Sequence, residues 1–191
     1  MNCIAVFCGS SSGSHTIYRE QAAKLGQILA ERRIDLIYGG GRVGLMGFLA
    51  DAVLKAGGQV TGVIPGFLQT REVAHQGLTE MIRVETMHER KALIDQRSDG
   101  AIALPGGFGT LDELFEMLTW GQLGLHRKPV GLLNINGYFE PLLLTVEKMV
   151  SEGFLKLENK DQLLVSDNIE TLLTAMETYR VPRVVKWLDL K

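Results

Sequence analysis

With 191 residues, of which 46% are hydrophobic and 22% charged, the chain has the composition of a soluble globular protein with room for one α/β core and too little for two. The formal net charge of −2 includes no block of like charge, which argues against a nucleic-acid or anionic-membrane surface. No apolar run approaches the roughly 18 residues of a membrane span, and the start, Met1–Asn2–Cys3–Ile4–Ala5–Val6–Phe7, lacks the basic opening and long apolar core of a signal peptide.

Both cysteines, Cys3 and Cys8, fall on the first predicted strand. At about 3.3 Å per residue they stand about 16 Å apart, beyond disulfide reach within one chain. The four histidines are scattered, with no Cys-x-x-Cys and no His-x-x-x-His. A reduced, cytoplasmic protein is expected, with no metal and no cofactor.

In chain order, Cys3–Cys8 reads as a strand that runs into Gly9–Ser10–Ser11–Ser12–Gly13–Ser14, a loop of small donors in which Ser10 is a candidate ligand contact. A helix fits Thr16–Arg33, with Ala22, Leu25, Ile28 and Leu29 on one face. Asp35–Tyr38 is a second strand, ending in Gly39–Gly40–Gly41–Arg42–Val43–Gly44–Leu45–Met46–Gly47. The helix that follows carries Leu45, Leu49, Ala52, Val53 and Ala56 and stops at Gly57–Gly58. Gln59–Ile64 is a third strand, closed by Pro65, and from Gly66 to Gly77 periodicity fails.

Thr79–Val84 forms a fourth strand, Met87–Arg97 a short charged helix and Gly100–Leu104 a fifth strand. Pro105–Gly106–Gly107–Phe108–Gly109 then turns into a helix opened by Thr110, with Leu111, Leu114, Phe115, Leu118 and Leu123 on one face. Pro129–Leu133 is a sixth strand, Pro141–Val150 a helix, Leu163–Val165 a seventh strand and Ile169–Tyr179 a last helix. The apolar tail Val184–Leu188 leads us to expect residues 180–191 to dock on the domain or on a partner subunit.

Strands alternating with helices imply parallel pairing, because each crossover needs a helix. The expected fold class is α/β: one domain over residues 1–191, a doubly wound, Rossmann-like parallel sheet with helices on both faces. In such a sheet every strand-to-helix loop emerges at the carboxyl edge, where ligands bind. That rule gathers Gly9–Ser14, Gly39–Gly47, Glu85–Lys91 and Pro105–Glu113 in one place.

Each segment carries a chemical expectation. Gly39–Gly44 satisfies G-x-G-x-x-G, but about 20 residues on, Val60–Pro65 offers no acid for a ribose, so NAD is the least favoured nucleotide. The glycines serve equally for a tight turn. On the charged helix Arg90 shares a face with Met87 and Ile94 and calls for an anionic ligand or a structural salt bridge, unless its side chain snorkels to the surface. Lys91 has Asp95 at i+4 as a surface partner. The turn before Thr110 lets backbone N–H groups approach an anion at a helix start. Thr110–Leu111–Asp112–Glu113 also fits a capping box, with Thr110 as N-cap and Glu113 reaching back. Glu113 and Glu116 share one face, and a dipole-stabilised carboxylate at Glu113 suits a base better than an acid.

Together, Gly39–Gly40–Gly41–x–x–Gly44–Leu45–Met46–Gly47, Met87–His88–x–Arg90–Lys91 and Pro105–Gly106–Gly107–x–Gly109–Thr110–x–x–Glu113 resemble the LONELY GUY (LOG) family of nucleotide phosphoribohydrolases over roughly residues 1–180. The resemblance implies hydrolysis of the N-glycosidic bond of a purine nucleoside 5′-monophosphate, of cytokinin type or AMP, by a homodimer. It implies Arg90 and Glu113 as the catalytic pair, and Glu72, Lys91, Gly107 to Asp112 (Gly107, Phe108, Gly109, Thr110, Leu111 and Asp112) and Thr119 as substrate contacts. Ser10, Gly40, Gly41, Gly44 and Gly106 join them through their loops, and Met46, Met87 and Phe108 are candidates for an apolar base pocket. Members are often labelled lysine decarboxylases, but no lysine here has the local context of a pyridoxal Schiff base. The alternative from a different class is a non-catalytic nucleotide- or cofactor-binding carrier on the same fold.

Overall fold

The computed structural model describes residues 1–68 and 74–182. In β1 (Cys3–Phe7), Ile4 and Val6 pack on one side and Ala5 and Phe7 on the other, and all four are buried. A strand apolar on both faces belongs inside a covered sheet. β2 (Asp35–Tyr38), β3 (Val60–Pro65), β4 (Glu80–Val84), β5 (Gly100–Ala103), β6 (Val130–Leu133) and β7 (Leu163–Ser166) join it. All neighbours pair in parallel, in the order β4-β3-β2-β1-β5-β6-β7.

The helices are α1 (Thr16–Glu31), α2 (Gly44–Lys55), α3 (Met87–Arg97), α4 (Phe108–Leu123), α5 (Glu140–Ser151), α6 (Leu157–Lys160) and α7 (Ile169–Glu177). Leu25, Leu49 and Leu172 of α1, α2 and α7 pack with Ile4, Leu36 and Ile102 on one face of the sheet. On the other, Ile94 of α3 and Leu114 and Met117 of α4 pack with Ala5, Ile37 and Ala103, and Leu142 and Leu143 of α5 join them. This is the doubly wound arrangement expected from the sequence. Among the described residues no helix is long and apolar enough to cross a membrane.

α6 is an addition to the expected elements, a single turn too short to show periodicity. Two expectations are corrected. β3 runs through Pro65, which pairs with Val84 as the last rung of its ladder. The second correction bears on the site: α4 begins at Phe108, because Leu111 N–H donates to the Gly107 carbonyl at 3.2 Å and Gly107 is the N-cap. Thr110 is therefore the third helical residue and only 4% exposed, and Glu113 lies in the second turn. The capping box at Thr110–Glu113 does not form. The glycine turn is tight enough to start the helix early, and it folds the Thr110 side chain against Gly106. The tail Val184–Leu188 lies outside the described residues.

Both cores are close-packed, so removing volume from the sheet centre should be costly. Ile37→Ala, at a fully buried position of β2, is expected to lower stability by about 2–5 kcal/mol. A denaturant melt should show the shifted midpoint with an unchanged slope.

Candidate active site

Strand order reverses between β1 and β5: the chain leaves β1 toward β2 on one side and leaves β5 toward β6 on the other. The loops after these two strands must part, opening a crevice at the carboxyl edge. The loops are joined at their base, where Leu104 N–H donates to Phe7 O at 2.9 Å and Gly9 N–H to Pro105 O at 3.0 Å. Leu45 N–H donates to Gly9 O at 3.0 Å, which draws in the start of α2.

The crevice holds a cavity of about 240 Å³. Val6, Phe7 and Cys8 form part of its lining at the end of β1, and Ser10, Met46, Met87, Arg90, Asp112, Glu113 and the stretch Gly107–Thr110 contribute to the rest. All four loops gathered by topology supply lining residues.

Arg90 is the most constrained of these. It is 8% exposed, and its Nη2 stands 3.6 Å from Glu113 Oε1, within ion-pair range. Its Nη1 points to the Met87 sulfur at 3.7 Å, and its Nε has no hydrogen-bond partner among the described residues. Gly39 permits this placement, since a Cβ there would collide with Nη2. A buried guanidinium with an unanswered donor is costly, and an anionic or hydroxyl-bearing ligand would answer it. The start of α3 is fixed by Thr86, whose hydroxyl accepts from Glu89 N–H at 3.1 Å, while the Glu89 carboxylate accepts from Glu85 N–H at 2.9 Å. These reciprocal bonds resemble a capping box, and they set the angle at which Arg90 enters the cavity.

Opposite lies the start of α4. The N–H groups of Phe108, Gly109 and Thr110 precede the first i−4 bond and have no acceptor within the helix. They sit at the positive end of the helix dipole, so the cavity has anion-binding character on two sides.

Lys91 does not line this cavity. Its Nζ pairs with Asp112 Oδ2 at 2.7 Å and Glu116 Oε2 at 3.3 Å, and Asp95 pairs instead with Lys128 at 2.7 Å. The expected Lys91–Asp95 pair is thus corrected: packing of α3 against α4 presents better acceptors. Burial works against the Lys91 charge, but bonds to Asp112 and the charges of Glu116 and Asp112 outweigh it and hold its pKa above the ordinary value.

The other candidates are spread more widely. Leu111 packs against the core, Thr119 is exposed farther along α4, and Phe108 is 94% exposed at the cavity rim. Gly40 and Gly41 form the turn after β2, where the Tyr38 hydroxyl donates to Gly41 O at 3.0 Å. Gly44 adopts φ of 61° and packs against the Ser10–Ser11 backbone. Glu72 lies outside the described residues. The sequence reading passed over Cys8, Gly9 and Gly39, and with them a second cavity of about 330 Å³ behind the Gly106–Gly107 turn, bordered by Tyr18 and Tyr138. Tyr138 was findable: the loop after β6 also emerges at the carboxyl edge, and the topological rule extends to it.

Residues 46–176 match a family described as "Possible lysine decarboxylase". Cytokinin riboside 5′-monophosphate phosphoribohydrolase LOG2 of Arabidopsis thaliana is 48% identical over 180 residues, 94% of this chain and 84% of that protein. LOG7 of the same plant is 50% identical over 176 residues, 92% of this chain and 81% of that protein. The solved structure of the molybdenum cofactor binding protein from Rippkaea orientalis has a TM-score of 0.68 and 24% identity, covering 92% of this chain and 95% of that one. That last likeness is one of fold.

Cys8 offers a chemical probe of this environment. Burial, and secondarily the charge of Glu113, push its thiol well above the ordinary range, and burial likewise pushes Cys3 up to about 12. Iodoacetamide at pH 8 should therefore label neither thiol in the folded protein and both in denaturant, read by mass spectrometry. Glu113→Gln should speed labelling of Cys8 more than of Cys3.

Proposed function

From the chain's membership of the LONELY GUY (LOG) family, we propose that it hydrolyses the N-glycosidic bond of a purine nucleoside 5′-monophosphate, releasing free base and ribose 5-phosphate. The relatives matched at 48–50% identity are named as hydrolases of cytokinin riboside 5′-monophosphates. The geometric observation that carries the reading is Arg90, buried beside Glu113 with its Nε unanswered among the described residues, opposite the N–H groups that open α4.

In the reaction, the C1′–N bond breaks with its electron pair leaving on the base. Water adds its oxygen to C1′, and a proton is taken up by the base. The transition state has oxocarbenium character, as in glycoside hydrolysis. Glu113 stabilises positive charge at the sugar and orients and deprotonates the water. Arg90 stands beside that carboxylate, positions it and donates to the substrate. Backbone N–H groups from Gly107 to Thr110, with the Thr110 hydroxyl, hold the 5′-phosphate, while Met46 and Met87 give the base an apolar wall. Ser10 borders the same space. Lys91 contributes through Asp112 and Glu116, which it holds in place. Glu72 and Thr119 are further substrate contacts on this reading, and Gly40, Gly41, Gly44 and Gly106 shape the loops. The assembly is a homodimer, for which the exposed Leu123 and Leu125 at the end of α4 provide apolar surface. Two free thiols favour a cytoplasmic setting.

A carrier without hydrolysis is not favoured, because the relatives at high identity are named as hydrolases. Lysine decarboxylation is not favoured either. A Schiff-base lysine needs a lowered pKa, and Lys91, beside the cavity, is held the other way.

The test is a panel of plain and prenylated AMP and their nucleosides, with free base measured by chromatography. Monophosphates should be cleaved with higher turnover as well as lower KM, because phosphate binding energy fixes the sugar for reaction. Equal rates with and without phosphate would sink the assignment. Glu113→Gln is expected to lower kcat at least about 10²-fold in a protein that still folds, with any shift in melting temperature coming from loss of the Arg90 ion pair and not from loss of a helix cap.

A further inference from the structure

We propose that Tyr138, in the loop after β6, is a positioning residue that aims the Gly107 N–H into the substrate cavity by holding the carbonyl of the same peptide unit. The inference rests on the phosphate-holding role proposed above for the turn at Gly107.

The Tyr138 hydroxyl donates to Gly106 O at 2.6 Å. The Gly106–Gly107 peptide is planar and trans, so its C=O and N–H point in opposite directions. Fixing the carbonyl toward Tyr138 therefore fixes the N–H away from it. Tyr138 borders the 330 Å³ cavity behind the turn, whereas Gly107 also borders the 240 Å³ cavity that holds Arg90 and Glu113. One hydrogen bond made at the border of the larger cavity thus fixes the orientation of a donor that also borders the smaller one.

Two observations argue that this bond has a purpose beyond packing. First, Tyr138 is 43% exposed, so burial of the residue does not by itself require a protein acceptor for its hydroxyl. Glycine peptides rotate easily, so a water-solvated Gly106 carbonyl would leave the unit free to turn. Second, the surroundings immobilise the ring. It packs edge-on to Tyr18 of α1, with centroids 5.9 Å apart at 79°, and to the buried Phe139, at 4.9 Å and 86°. Phe139 N–H donates to Asn134 Oδ1 at 2.8 Å, and Asn134 Nδ2 donates to Glu140 Oε1 at 2.7 Å. Between them Asn136 and Gly137 take left-handed conformations, with φ of 54° and 68°. Asparagine and glycine are the residues that adopt this conformation most readily, so the sequence of the loop favours the tight turn that brings Tyr138 round. The loop is built to deliver a hydroxyl to one point.

The turn is also confined by its other neighbours. A Cβ at Gly106 would collide with Thr110 Oγ1 and come within 2.8 Å of Gly9 N. The turn is held between Thr110 and Gly9 on one side and the Tyr138 hydroxyl on the other. Removing the hydroxyl releases one side alone.

Tyr138→Phe keeps the ring and its edge-on contacts and removes only that bond. We would compare it with the wild type for kcat/KM on a nucleoside 5′-monophosphate and on the same nucleoside, and for inhibition by inorganic phosphate. The expected result is an approximately 10-fold loss of preference for the monophosphate, as for one net hydrogen bond to a charged group. Inhibition by phosphate should weaken in parallel, with the nucleoside rate unchanged. A variant slowed equally on both substrates has lost general structure, and the inference fails. A wild-type preference that survives intact in the variant also overturns it, while leaving the phosphate-holding turn standing. A wild type indifferent to the phosphate overturns that underlying role, and this inference with it.

Discussion

The reversal of strand order between β1 and β5 is the constraint on which the rest of this structure depends. Two parallel neighbours whose chains depart in opposite directions cannot close their loops over each other, so a crevice is built into the topology. The bonds Leu104–Phe7 and Gly9–Pro105 close the sheet to its last rung, and the opening begins immediately beyond. Everything with chemical potential stands on the rim of that opening. Rigid strands underneath hold the rim residues in register, as loops alone would not.

Two cations adjacent in sequence show how the rim sorts its charges. Arg90 and Lys91 follow each other on α3, about 100° apart around the helix axis. Arg90 turns into the crevice, where its guanidinium lies over the bare backbone of Gly39 and stands near one carboxylate, Glu113. Lys91 turns to the flank of α4 and pairs with both Asp112 and Glu116. Arg90 lines the cavity with its Nε unanswered among the described residues, and Lys91 ties α3 to α4. The division follows from helix geometry and from which neighbours α4 presents, and it separates a charge that lines the cavity from one that joins two helices.

The same residue pattern, Thr-x-x-Glu, occurs at Thr86–Glu89 and at Thr110–Glu113 with opposite outcomes. At the first, chain entering from a strand leaves Thr86 extended, and the reciprocal caps form. At the second, the Gly106–Gly107 turn starts the helix before Thr110 is reached, which spends the threonine inside the first turn and leaves Glu113 to face Arg90. Local pattern could not separate the two. The difference lies in how tightly the preceding turn can bend against Gly9 and the loop after β6, and neither is a neighbour in sequence.

By itself, the sequence determined the succession of strands and helices, the parallel pairing that alternation enforces, and hence the edge at which the glycine-rich loops meet. Periodicity and turn chemistry are local properties, and seven strands could be read from them. It also carried the motifs that mark the family. Tertiary structure decided where α4 begins, which carboxylates hold Lys91, and that Arg90 is buried beside Glu113. It also decided that Tyr138, 32 residues from Gly106, closes on that carbonyl. These depend on distances between elements far apart in the chain. Only the packed sheet fixes such distances, because close packing and the burial of charge allow a single arrangement.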